Sequence, residues 1–224
     1  MKHTTLLLAA ATTVAASQAQ ANIVINELLG STSGSDWEFI ELFNAGVSPV
    51  DISGYTVTLY DADDGGTDGG SPYVVPDATT LGAGEFFLFA NPLATTGFSV
   101  VPDVTLPANA VENSPYTVLL EDSAGGNVYS VLVTDGTDAL GANEAGTPIV
   151  ADLTAGPDGT FLPAGFFLEV DGGSTAGFLE FGTGNLTGGA GAGGSPGFSN
   201  VIPEPTSIAV LGMAGLAALR RRRV

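Results

Sequence analysis

The sequence predicts an all-β fold, a sandwich or a barrel, for a body spanning residues 22–200. Three observations point to it. Short β-branched and aromatic runs recur along the body, separated by Gly, Pro, Asn and Asp. Long stretches of 3.6-residue periodicity are missing. And "GYTVTLYD" alternates, with Tyr55, Val57 and Leu59 on one side and Thr56 and Thr58 on the other, as in a strand that faces a core on one side only.

The elements follow in order. "IVINELL" at 23–29 is an apolar, β-branched run. At 38–44, "EFIELFN" sets Phe39, Glu41 and Phe43 on one face, so Glu41 is either a partly buried carboxylate that needs hydrogen bonds or an exposed one beside aromatics; a structural role is expected in preference to a catalytic one. Asp51 and Ser53 can bond nearby amides in the turn that Gly54 closes before the strand at 55–60. The run at 85–90 is rich in Phe. Residues 116–121 and 128–133 read as a hairpin around the Gly-containing loop 122–127. The stretch 135–163 has weak strand signals and reads as a long insertion or loop, and 166–170 is the last strand expected. The Gly-rich segment 188–197 reads as a flexible tether or final loop.

The two ends differ from the body. Lys2, an apolar run at 6–16 and Ala19-Gln20-Ala21 have the order of a secretory signal at 1–21, with cleavage after Ala21. At the other end, 206–219 would span about 21 Å as a helix, less than the ~30 Å hydrocarbon core. Arg220, Arg221, Arg222 and Arg223 would hold that end on the cytoplasmic side, because carrying them through lipid is unfavourable. The layout suits a transient membrane stop that is read and then removed.

Charge is segregated. All five Lys and Arg and the single His lie outside 22–202, which carries every acidic residue of the 24 except Glu204, hence 23 carboxylates and no cationic side chain. Nucleic acid, whose binding needs Lys or Arg at phosphates, is excluded as a partner, and anionic lipid surfaces are disfavoured. A body of roughly 18 kDa exposes about 8,000 Å², which spaces the carboxylates on the order of 19 Å apart, beyond the ~8 Å Debye length of physiological salt. The mean repulsion is thus screened in salt and felt at low ionic strength. With no Cys the fold has no disulfides, and a body of this size buries enough apolar surface without them.

Several motifs resemble a known family. "EFIELFN" (38–44) and "PVDISGYT" (49–56) are similar to the central motifs of the lamin tail domain, "IVINE" (23–27) to its opening strand, "LGAGEFFLFAN" (81–91) to a later strand, and "SPGFSN" (195–200) to its closing motif. Phe39 and Tyr55 stand where Trp is common in that family, and Ala83 where Pro is usual. The resemblance implies an immunoglobulin-like β-sandwich over 22–200 that acts as an accessory or surface module. The end of the chain, 201–224, resembles the PEP-CTERM sorting signal, with Pro203, Glu204 and Pro205, an apolar stretch, and the terminal arginines. That resemblance implies an apolar sorting helix, removed by an exosortase-type enzyme at the inner membrane of a Gram-negative bacterium that makes exopolysaccharide.

Little enzymatic chemistry is available to the body. Without His, Cys or Lys it has no Ser-His-Asp triad, thiol nucleophile, Cys/His zinc site or lysine-bearing phosphate loop. Carboxylate pairs of the glycosidase kind are uninformative among so many acids. One cluster suits a hard cation: Asp61, Asp63, Asp64 and Asp68 in "DADDGGTDGG", candidate Ca²⁺ ligands on a Gly-rich loop. Gly65 and Pro72 break the EF-hand pattern, and the competing reading is a solvated turn built from Asp and Gly. The expected function is therefore a non-enzymatic exported protein of the cell surface or extracellular matrix, structural or interactive and linked to exopolysaccharide or biofilm. The alternatives are a Ca²⁺-assisted adhesin or carbohydrate-binding module and, third, a carboxylate-based glycan hydrolase.

Overall fold

Fifteen strands and one short helix form in the residues that the computed structural model describes, 23–30, 37–111, 113–179 and 194–200. The strands are β1 (Ile23–Leu29), β2 (Phe39–Asn44), β3 (Val50–Asp51), β4 (Thr56–Asp61), β5 (Tyr73–Val74), β6 (Thr80–Leu81), β7 (Phe86–Ala90), β8 (Val104–Thr105), β9 (Tyr116–Glu121), β10 (Asn127–Val133), β11 (Asn143–Glu144), β12 (Thr147–Pro148), β13 (Leu153–Ala155), β14 (Gly165–Leu168) and β15 (Ala176–Leu179). The helix, α1 (Pro92–Phe98), lies between β7 and β8. The seven runs read from the sequence are all strands, displaced by no more than two residues at either end.

Two sheets carry the fold. The first has the order β15-β14-β1-β2-β7-β8 and the second β13-β10-β9-β4-β5. Among the described residues only β8 and β13 pair in parallel, each at an edge. Ile25, Ile40 and Leu42 of the first sheet meet Leu59, Val118 and Leu120 of the second in one continuous core. The result is an immunoglobulin-like β-sandwich. The turn before β4 forms as its residues dictate: Asp51 accepts from the Ser53 amide at 3.0 Å, the Ser53 hydroxyl accepts from the Thr79 amide at 2.9 Å, and Gly54 takes a φ of 71°. The β9–β10 hairpin pairs Glu121 with Asn127 across a loop in which Asp122 accepts from the Ala124 and Gly126 amides.

The outer faces depart from the expected alternation. Every residue of β1 and β2 is buried. A second apolar cluster, Leu29, Phe39, Leu88, Ala94 and Phe98, fills the outer side of the first sheet beneath α1. Trp37 and Phe39 both meet Phe98 edge to face, at centroid distances of 5.8 and 5.3 Å. The helix itself escaped the sequence reading. Asn91 caps it by accepting from the Ala94 amide at 2.8 Å and Pro92 opens it, but seven residues are too few to display a helical period.

The second sheet is covered as well: in β4, Thr58 and Tyr60 are buried along with Val57 and Leu59. The cover comes from the stretch read as a loop. Residues 135–163 contain the β11–β12 hairpin and β13, which extends the second sheet beside β10. These strands have two or three residues each, below the length at which alternation can be recognised.

Candidate functional site

The buried polar groups of the first sheet's outer face form one connected cluster. It starts with an irregularity in β1. Ile25 pairs with Leu42 and Glu27 with Glu41, so Asn26 is an extra residue in the β1–β2 ladder. This bulge puts Asn26 and Glu27 together on the outer side, next to Glu41, and all three side chains are fully buried.

Residues 194–200 lie across this cluster as a strap. Glu27 accepts from the Ser195 amide at 2.8 Å and its other oxygen meets the Ser195 hydroxyl at 3.3 Å. Glu41 accepts from the Gly197 amide and, at 2.9 Å, from the Asn26 side chain. Asn26 also donates to Asp171 at 3.1 Å and accepts from the Gly172 amide at 3.0 Å. Asp171 accepts in turn from the Asn200 amide at 3.0 Å and from the Ser199 hydroxyl. The strap is thus held by three carboxylates drawn from β1, β2 and the turn after β14. Gly194 permits the approach: at its φ of 107° a Cβ would stand 2.9 Å from the Glu27 carboxylate and 3.3 Å from the Phe39 ring. Of the two readings of the Gly-rich segment 188–197, a tether or a final loop, its last four residues form a final loop packed on the body, with Ser195 and Pro196 buried under these bonds; residues 188–193 lie outside the described residues.

Electrostatically the cluster is one-sided. Burial, followed by the neighbouring Glu41 charge, drives the Glu27 carboxyl well above the usual range. Burial pushes Glu41 up to about 8, against the lowering effect of the Gly197 and Asn26 hydrogen bonds. No cationic side chain exists anywhere in 22–202 to offset either charge. Glu41 is therefore the buried, hydrogen-bonded carboxylate of the two alternatives its position allowed. Glu27, Asn26, Asp171, Ser195 and Asn200 were given no role by sequence reasoning. The available signal was a carboxylate inside an otherwise apolar strand, "IVINELL".

The acidic loop is arranged differently. Asp61 accepts from the amides of Asp63 and Asp64 at 2.6 and 3.1 Å, Asp64 from Gly66 at 2.7 Å, and Asp63 from Ala139 at 2.9 Å. Three of the four carboxylates thus serve as caps for backbone amides, while Asp68 donates its own amide to the Leu59 carbonyl. Among the described residues no group of three or more acidic or other ligating side chains converges to hold a metal ion. Ala19, Ala21, Pro203, Glu204, Pro205 and Arg220–Arg223 lie outside the described residues. Among the described residues no helix is long and apolar enough to cross a membrane.

A family model described as Lamin Tail Domain matches residues 16–135, a little over half of the chain. No curated protein matches it.

Proposed function

This chain belongs to the lamin tail domain family, and from that premise we propose that it is an exported, non-enzymatic protein of the cell surface or extracellular matrix. A secretory signal at 1–21 directs export. The C-terminal 201–224 segment lodges transiently in the inner membrane and is removed near Pro203–Pro205 by an exosortase-type enzyme. The anionic sandwich left outside has a structural or interaction role next to exopolysaccharide.

The observation that carries this reading is the segregation of charge: cationic side chains stand only at position 2 and at 220–223, and between them lies a body with 23 carboxylates and no cation. Arginines placed behind a short apolar run resist translocation, whereas a body without cations offers nothing to retain it at an anionic lipid surface. The buried polar groups of the first sheet support the structural role, since each carboxylate of the cluster holds backbone or side-chain donors of the fold itself.

Mass spectrometry of the native protein, recovered separately from cells and medium, tests the reading. The expected form begins at Asn22 and ends near Pro203–Pro205. A full-length chain that keeps Arg220–Arg223 and resides in the cytosol would overturn it.

A further inference from the structure

The strap is held by the groups that are least able to carry charge together. Glu27 and Glu41 are register partners on neighbouring strands, which places their Cβ atoms about 4.5–5.5 Å apart. Both are fully buried, and each contributes an oxygen to a strap amide. The Ser195 hydroxyl stands between Glu27 Oε2 and the Asn200 side-chain amide, so the strap reaches the pair through a side chain as well as through its amides.

We propose that residues 194–200 are a pH-gated strap, closed while the Glu27–Glu41 pair carries at most one charge and released from the first sheet when both carboxylates ionise.

The surroundings favour release of the strap over collapse of the whole fold. The charged or titratable group that faces the pair from the turn after β14 is Asp171, a third acid. On the flanking strands, Glu41 stands beside Leu88 of β7 and Glu27 beside Phe167 of β14. Asp103, beyond β7, caps the Leu88 amide. α1 has no acid in its first turn and no base in its last, and the strap adds only neutral groups. A second charge therefore finds no counterion from any side. Lifting the strap exposes both carboxylates to water and leaves the inner core, on the opposite face of the sheet, in place. Burial raises both carboxylates, Glu41 to about 8, so the doubly charged pair forms only above the ordinary carboxylate range.

Combined with the sorting role, the strap would set how far the processing site stands from the body. Asn200 precedes Pro203 by three residues, a reach of about 10 Å at full extension. An open strap lengthens that leash. This consequence rests on the sorting reading, whereas the gate itself does not.

Hydrogen exchange of the full-length chain by quench flow at pH 6 and pH 9, referenced to intrinsic rates, tests the gate. The Ser195 and Gly197 amides are expected to lose at least tenfold in protection at pH 9 while β9 amides keep theirs, and Glu41→Gln should abolish the difference. Equal strap protection at both pH values would overturn the proposal, as would parallel loss in the strap and β9, or an undiminished difference in Glu41→Gln. If Glu41→Gln does not fold, the wild-type comparison of strap with β9 decides alone. Failure of the sorting reading would appear in the native termini and leave these exchange rates untouched.

Discussion

The two sheets solve the same problem with different chemistry. Each must cover an outer face, and each uses irregular chain to do so. The first sheet is covered by α1 and the 194–200 strap, fastened through buried Glu27 and Glu41. The second is covered by the excursion that follows β10, fastened chiefly through neutral groups: the Asn143 amide donates to the Thr117 hydroxyl at 3.0 Å, the Asn143 side chain donates to the Asp61 carbonyl at 3.0 Å and accepts from the Gly146 amide at 3.0 Å, and Leu140 donates to the Ala62 carbonyl at 2.8 Å, while the carboxylates that join it, Asp63 to the Ala139 amide and Asp152 to the Ser130 amide, both at 2.9 Å, are not fully buried. Neutral fasteners hold at any pH. Carboxylate fasteners in an apolar setting tie the cover to the proton concentration. The difference between the sheets is one of response more than of strength.

The largest expected effect removes the apolar part of the first cover. Phe39→Ala empties a fully buried ring site beside Phe98 and should lower stability by about 3–5 kcal/mol in urea unfolding. A loss below about 1 kcal/mol would mean that α1 and the strap contribute little to the packing there.

Next comes the neutral fastener. Asn143→Ala removes the bonds to the Asp61 carbonyl and the Gly146 amide and leaves two part-buried groups without these partners, at about 1 kcal/mol or somewhat more. Its effect should be the same at pH 5 and pH 8. A loss that grew with pH would erase the contrast between the two covers.

Thermal melts across pH sharpen the comparison further. Glu27 and Glu41 are raised in the folded state, so the stability they contribute is present in full below their ordinary range near 4.5, declines as pH rises, and in the case of Glu41 is lost by about 8. Asp51 and Asp135, lowered by their Ser53 and Thr137 hydrogen bonds, act the other way and lose their contribution only in strong acid. The melting temperature should thus peak near pH 4–5 and fall by on the order of several degrees toward pH 8, given about 2–4 °C per kcal/mol for a chain of this size. Glu41→Gln should flatten the fall, and a wild-type curve that rises from pH 5 to pH 8 would contradict the cluster's electrostatics.

The smallest effect is general. With the carboxylates spaced on average beyond the Debye length of physiological salt, added NaCl should raise the melting temperature from low-salt buffer and then saturate near physiological ionic strength. No response to salt would indicate that surface repulsion is already relieved.

How much of this was legible in the sequence depends on the range of the contacts. The main strands were, because β-branched and aromatic runs between Gly and Asp turns are local. The Asp51–Ser53–Gly54 turn and the loop of the β9–β10 hairpin were too, since their bonds join residues two to four apart. Strict alternation was a poor guide for β1 and β2, where both faces are buried and "IVINELL" carries no pattern of two. The clasp was hidden for a different reason. Glu27 and Ser195 are 168 residues apart, and nothing local marks them as partners. The β1 bulge that turns Asn26 and Glu27 the same way is set by pairing with β2 and has no composition of its own.

The only tryptophan of the chain packs against the second apolar cluster, edge-on to Phe98 beside the short helix and so near Gly97 that no side chain would fit there. Its intrinsic emission is therefore a local optical probe, blind to the far sheet. Fluorescence and far-ultraviolet circular dichroism will trace the same transition only while that cluster and the rest of the backbone melt as one unit.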